Sequence, residues 1–191
     1  MTISNDKETL RKIFKDKRRS LSKAEVKSRS REINQNFISN LLPRIYNNEK
    51  NFAKIFSLYL SSYNEVSTDF ISNYFEENDI KFSYPKIIKK DHHLDFIISE
   101  PNQTFSPSLF FPKILEPNSI NSGNSENNGK VLPDILIIPL LSFDSNLSRL
   151  GMGGGFFDRT IGFLKKENPN LLTIGLAYDY QRFGGFLKTE D

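Results

Sequence analysis

The chain contains no cysteine, and this absence removes several kinds of chemistry at once. Disulfides, zinc–thiolate sites, iron–sulfur clusters and a thiol nucleophile are all excluded. A reducing cytosol suits such a composition. Tryptophan is missing too, whereas Phe (17) and Tyr (7) are plentiful, so the core is expected to rest largely on their rings. The first residues, Met1 to Glu8, mix charges and lack an apolar stretch, so no secretory signal is visible. The longest apolar run, Ile135–Leu141, is broken by Pro139 and is far too short to cross a bilayer. A cytoplasmic location with no membrane partner is therefore expected. The segment Asp91-His92-His93-Leu94-Asp95 has the look of metal chemistry. However, adjacent histidines on a strand point to opposite sides, and no Cys or Glu stands at ligand spacing. It reads as a solvated loop. No Ser-His-Asp set or paired carboxylates can be picked out.

What is present fits one globular α/β domain over residues 1–191, with 37% hydrophobic and 26% charged content. A formal charge of +3 is mildly basic and favours anionic small ligands as readily as nucleic acid. The basic residues of Lys7–Arg31 read as a nucleic-acid arm or as a solvated helix face, and composition favours the second. Leu10, Ile13, Phe14 and Leu21 give the first helix an apolar stripe. Ser22–Glu25 has the capping-box pattern, and Val26, Ile33, Phe37 and Leu41 follow at helical spacing until Pro43 stops the run. Ile55–Leu60 reads as a strand, Ser67–Asp69 as the cap of a helix carrying Phe70, Ile71, Tyr74 and Phe75, and Ile80–Tyr84 as a strand ended by Pro85. That succession implies a parallel β-α-β unit. Pro117–Lys130 reads as a surface loop. Ile135–Ile138 is a strand covered on both faces, and Leu172–Ala177 is another buried strand. The expected architecture is an open, largely parallel β-sheet flanked by helices, with an N-terminal helical pair.

The informative stretch runs from Ser142 to Arg159. It follows the buried strand and precedes a helix, which is where open α/β sheets bind ligands. Gly151, Gly153, Gly154 and Gly155 let the backbone approach a ligand closely and turn several N–H groups toward an anion. The helix adds the positive end of its dipole, and Arg149 adds a fixed cation. The combination suits a phosphate, although a flexible turn feeding a helix has the same composition. It is not a Walker loop, because Phe156 stands where Lys is required, nor a dinucleotide fingerprint, which needs Gly at 156. Asp158, in the first turn of the helix, is placed to hold Mg²⁺ on nucleotide phosphates or merely to complement the helix dipole. Lys7 and Arg11 project from one face of the first helix, with Arg18 on the same face two turns later.

These pieces resemble the 5-formyltetrahydrofolate cyclo-ligase family. Its signature reads here Pro139-Leu-Leu-Ser-Phe143-Asp144, then Arg149-Leu150-Gly151-Met152-Gly153-Gly154-Gly155-Phe156-Phe157-Asp158. Lys7-Glu-Thr-Leu10-Arg11, Leu58 to Val66 with the acid Glu65, Ile114 to Pro117 and Ile174 to Tyr178 followed by Gln181 match further landmarks. The resemblance implies ATP-dependent conversion of 5-formyltetrahydrofolate to 5,10-methenyltetrahydrofolate, with small molecules as the only partners, no nucleic acid, and a monomer. It implies that Lys7, Arg11, Arg149 and the run Leu150, Gly151, Met152, Gly153, Gly154, Gly155, Phe156 and Phe157 bind ATP. Arg149 would act on the transferring phosphoryl group, Asp158 would ligate Mg²⁺, and Leu60, Glu65 and Phe156 would hold the folate. Phe156 and Phe157 replace the usual Tyr pair, and Ser148 a usual Gly. The family pattern continues beyond Leu187–Asp191 with a Pro, an Asp and a strand, so a shortened copy is expected. A chain that binds folate or nucleotide without turnover is the second reading.

Overall fold

The computed structural model describes residues 6–47, 54–118 and 129–187. Most of the expected loop Pro117–Lys130, and the last four residues, lie outside them.

Helix α1 (Lys7–Arg19) begins at Asp6, whose carboxylate accepts the Thr9 N–H at 3.0 Å, and it buries Leu10 and Phe14. Helix α2 (Lys23–Asn36) carries the complete Ser22/Glu25 capping box. Pro43 does not stop the run. A π turn at Phe37–Leu41, in which the Leu42 N–H reaches the Phe37 carbonyl, leads into α3 (Leu42–Asn47). Pro43 then sits in a first helical turn, where its missing N–H costs little. The wider turn also rotates the buried face by one position: Leu42 is buried and Leu41 is exposed.

Strand β1 is short (Phe56–Ser57), although Leu58 and Tyr59 beyond it are also buried. Helix α4 (Asp69–Glu77) crosses to β2 (Phe82–Lys86), which pairs parallel with β1. Pro85 lies inside β2, not after it. Pairing with β1 stops at Ser83, so the proline leaves no ladder bond unmade on that side. Strand β3 (Asp95–Ile98) runs antiparallel to β2, and after the hairpin of β4 (Phe105–Pro107) and β5 (Leu115–Pro117), strand β6 (Lys130–Val131) pairs with β3. Strand β7 (Ile135–Pro139) returns to the centre beside β1. A second hairpin, β8 (Ser142–Phe143) with β9 (Arg149–Leu150), stands between β7 and the glycine run. Helix α5 (Phe156–Glu167) and β10 (Leu172–Leu176) complete the described chain. The sheet order is β10-β7-β1-β2-β3-β6, with β10, β7, β1 and β2 mutually parallel. Strand β10 is not fully buried as expected. It is an edge strand among the described residues, and Leu172 is exposed.

Alternation along β7 divides the core. Ile135 and Ile137 join Phe37, Phe56, Phe75 and Phe82 on the face covered by α2 to α4. Leu136 and Ile138 face Leu164 of α5 on the other. Phe75 is the hub of the first face, its ring 4.7 Å from Phe56 and 5.8 Å from Phe82, which is the aromatic core the composition implied. A third cluster joins Leu10 and Phe14 of α1 to Leu141, Leu150 and Leu187, and so sets α1 against the β8–β9 hairpin.

The two histidines lie in a loop, as read from the sequence, but His93 is packed rather than solvated. They precede β3 in a turn, their ring centroids are 4.0 Å apart, and His93 stacks on Phe163 at 3.8 Å. Among the described residues no group of three His, Cys, Asp or Glu could hold a metal ion, and no helix is long and apolar enough to cross a membrane.

Candidate active site

The parallel strands β1, β2 and β7 all point their carboxyl ends at one cavity of about 980 Å³. Residues just beyond β1 (Tyr59, Leu60, Ser62, Glu65), at the end of β2 (Pro85, Ile87) and at the end of β7 (Pro139, Leu140) line it. This is the crevice that an open α/β sheet offers a ligand, and its volume is at the upper end of small-molecule pockets. Lys7, Arg11, Leu60, Glu65 and the whole run Arg149–Asp158 share the same cavity. Residues drawn from the first and last thirds of the chain thus meet in one place.

The glycine run forms the cationic end. Gly153 and Gly155 have φ of 103° and 66°, a region open to glycine and costly for other residues. Gly155 is the residue before α5, so the helix amino terminus opens directly onto the loop. Three arginines hold this loop. Arg11 donates from Nε to the Gly151 carbonyl at 3.2 Å. Arg159 donates to the Gly154 carbonyl at 3.0 Å and to the carbonyls of Lys90 and His92, with its guanidinium over the Phe156 ring. Arg149 is ion-paired with Asp158 and lies 6.0 Å from the centroid of Phe157. Carbonyls of the run are thereby tied back by side chains, while Lys7, Arg11 and Arg149 give the cavity a surplus of positive charge. An anion suits this end.

The other end is built around Glu65. Its Oε2 accepts the Ser62 N–H at 2.9 Å and the Ser62 hydroxyl at 3.2 Å. Its Oε1 faces Arg18 Nη1 at 3.5 Å, a buried pair with side chains 9% and 3% exposed. Burial pushes the carboxyl above its ordinary value, and Arg18 and Ser62 pull against this without cancelling it. Leu60, Phe156 and Phe157 supply apolar wall between the two ends. A flat, partly polar ring fits such a slot.

Asp158 is the carboxylate at the glycine-loop end, 73% exposed and in the first turn of α5. A magnesium ion that keeps most of its waters and is held mainly by phosphate oxygens needs only one or two protein carboxylates. The donor set fits that mode and not an all-protein cage.

Sequence reasoning missed two arginines. Arg159, which the sequence marks only as the end of the glycine-rich stretch, staples the loop. Arg18 does share the face of Lys7 and Arg11, but it is buried against Glu65 rather than solvated. The available signal was its spacing: Leu10, Phe14 and Arg18 recur every four residues, so Arg18 occupies an apolar-stripe position.

Fold and pocket together define an α/β protein with an arginine-lined cavity at the carboxyl edge of a mostly parallel sheet. The model of the 5-formyltetrahydrofolate cyclo-ligase family matches residues 3–184, and the chain belongs to that family of enzymes. The 5-formyltetrahydrofolate cyclo-ligase of Mycoplasma pneumoniae is 34% identical over 183 residues, which is 95% of this chain and 90% of the relative. The solved structure of a 5,10-methenyltetrahydrofolate synthetase from the same organism aligns at a TM-score of 0.65 and 32% identity, covering 96% of this chain and 92% of that one. The Aquifex aeolicus 5,10-methenyltetrahydrofolate synthetase, 22% identical with a TM-score of 0.71 over 96% of this chain and 84% of that one, shares the fold.

Proposed function

We propose that the protein converts 5-formyltetrahydrofolate and ATP to 5,10-methenyltetrahydrofolate, ADP and phosphate. The observation that carries this reading is the single cavity that joins an amide-lined, arginine-rich end to a carboxylate-bearing, apolar slot. The cationic end binds the nucleotide phosphates and the slot binds the pterin. The formyl oxygen on N5 attacks the γ-phosphorus of ATP and ADP leaves. N10 then attacks the activated carbon and gives up its proton, and the carbon–oxygen bond breaks as phosphate leaves, which completes the ring. The first step makes chemical sense because an amide oxygen is a poor leaving group until it is phosphorylated.

Lys7, Arg11 and Arg149 neutralise phosphate charge, and the amides from Leu150 to Gly155 orient the transferring group, so that catalysis is positioning and electrostatic stabilisation. Glu65 accepts from the N–H groups of the pterin. Leu60, Phe156 and Phe157 exclude water and pack on the rings. Phe at 156 and 157 retains stacking area and offers no hydroxyl. Asp158 would hold Mg²⁺, which when bound neutralises charge on the phosphates. The soluble reaction needs neither nucleic acid nor membrane, and a monomer in the cytoplasm suffices for it.

The test is ring closure by the purified protein, with and without ATP and magnesium. Methenyl-folate formation that requires ATP supports the reading. Thermal stabilisation by folate or nucleotide without turnover would identify a binding-only protein instead. Neither effect would overturn both.

A further inference from the structure

We propose that Arg18 is a positioning residue for the reaction: one buried guanidinium fixes the Glu65 carboxylate on the pterin side and the Met152 turn on the phosphate side in a single register. This rests on the folate reading given above. Arg18 is 2% exposed. Its Nη1 lies 3.5 Å from Glu65 Oε1 and its Nη2 3.3 Å from Met152 Sδ. Its own carbonyl accepts Asn64 Nδ2 at 3.1 Å, and the same amide reaches the Leu21 carbonyl at 2.9 Å. Asn64 adopts φ of 60°, so the residue before Glu65 is held in a left-handed turn by the end of α1. Side chain and backbone of Arg18 therefore both act on the Glu65 loop.

The geometry explains why this position holds arginine. Two nitrogens of one planar fork reach two different loops, whereas an ammonium would have to donate to both from a single nitrogen. A buried guanidinium does not deprotonate, so its charge is permanent, and the carboxylate opposite it is the natural partner. Since Ser62 occupies Oε2, Oε1 is the oxygen shared between Arg18 and the cavity. The groups facing Glu65 are Arg18, Ser62 and the hydroxyl-bearing rings of Tyr59 and Tyr178, the latter donating to the Glu65 carbonyl at 3.2 Å. Among them Arg18 is the cation. Removing it leaves only the Ser62 hydrogen bonds to oppose burial, and the carboxyl binds its proton more tightly.

Arg18→Met and Arg18→Lys test the idea, with circular dichroism to confirm that each variant folds. Arg18→Met should raise KM for 5-formyltetrahydrofolate by about tenfold or more, the scale of one charge-assisted hydrogen bond. The KM for ATP should move far less. The folate KM should worsen further as pH falls, with a midpoint above that of the parent. Arg18→Lys restores the charge without the fork, so it should recover the pH profile but only part of the KM. In a Glu65→Gln background, Arg18→Met should add little to the folate KM. Equal loss in both substrates, an unmoved pH profile, or additive effects in the double variant would overturn the proposal. An NMR titration of the Glu65 carboxyl, made on the parent and on Arg18→Lys or Arg18→Met, needs no substrate. A parent chain that turns over no folate would sink the functional reading, and that titration would still judge the Arg18–Glu65 link, with an unchanged midpoint in Arg18→Met counting against it. Should Arg18→Met not fold, Arg18→Lys alone decides: full retention of the folate KM would exclude the fork.

Discussion

Arg149 and Asp158, nine positions apart on either side of the glycine run, are ion-paired with each other. Each thus serves as the counter-charge of the other, while both line the cavity. Arg149→Ala should cut turnover by roughly 10²–10³-fold, as loss of one charge-stabilising donor does, while leaving the melting temperature nearly unchanged. Steady-state rates on the folded variant check this. A rate close to that of the parent would remove Arg149 from the reaction.

Asp158→Asn separates the two roles of the same pair. It should raise the magnesium concentration needed for half-maximal activity by roughly tenfold or more, a scale on which even outer-sphere partners of a metal act. Magnesium titrations at saturating ATP provide the measurement. An unaltered dependence would mean that this carboxylate serves the arginine alone.

Two glycines only seven positions apart should respond in opposite directions to alanine. Gly155 has φ of 66°, and a Cβ there would stand 2.6 Å from Arg159 Nη1. Gly155→Ala should therefore cost about 1–2 kcal/mol from backbone strain alone, and should also lower activity by displacing the staple on the loop. Gly162 lies inside α5 with nothing within 4 Å of its would-be Cβ. Gly162→Ala should stabilise by about 0.5–1 kcal/mol. Denaturant unfolding of both variants gives the two signs.

Asp144 supplies an acid-sensitive part of the fold. Its Oδ1 accepts the N–H groups of Asn146 and Ser148 and its Oδ2 that of Leu187. Burial works against ionisation, but these donors outweigh it and hold the carboxyl below its ordinary value. A lowered folded value means stability that is present above the unfolded value, about 3.9, and is lost as pH falls through the folded one. Asp144→Asn should flatten that acid limb and cost about 1.5–3 kcal/mol near neutral pH, the scale of hydrogen bonds to a charged group. Melting temperature against pH for both proteins checks it.

Features that depend on near neighbours were legible in the sequence. The Ile135–Ile138 run, the Ser22/Glu25 cap and the glycine loop before α5 are each decided by residues within one or two turns. Where a remote partner decides, local pattern failed. Pro43 looked like a stop because nothing nearby announces the π turn that accommodates it. Pro85 looked like a strand end because the early end of β1 cannot be read from β2. Arg18 looked like a solvated cation because its counter-charge lies 47 positions away. The family signature pointed to the residues of the cavity but not to the guanidinium that braces two of its walls.

Helix α1 rests on Leu141, Leu150 and Leu187, and Arg11 bonds to a carbonyl 140 positions further on. During synthesis, then, α1 leaves the ribosome well before the segments against which it packs. Thirteen residues are too few to hold a lone helix in water, so Leu10 and Phe14 remain uncovered on the nascent chain until the β8–β9 hairpin has been made. The pocket is consequently a late product of folding, and translation pauses before residue 150 would prolong the interval in which that greasy face is open to chaperones.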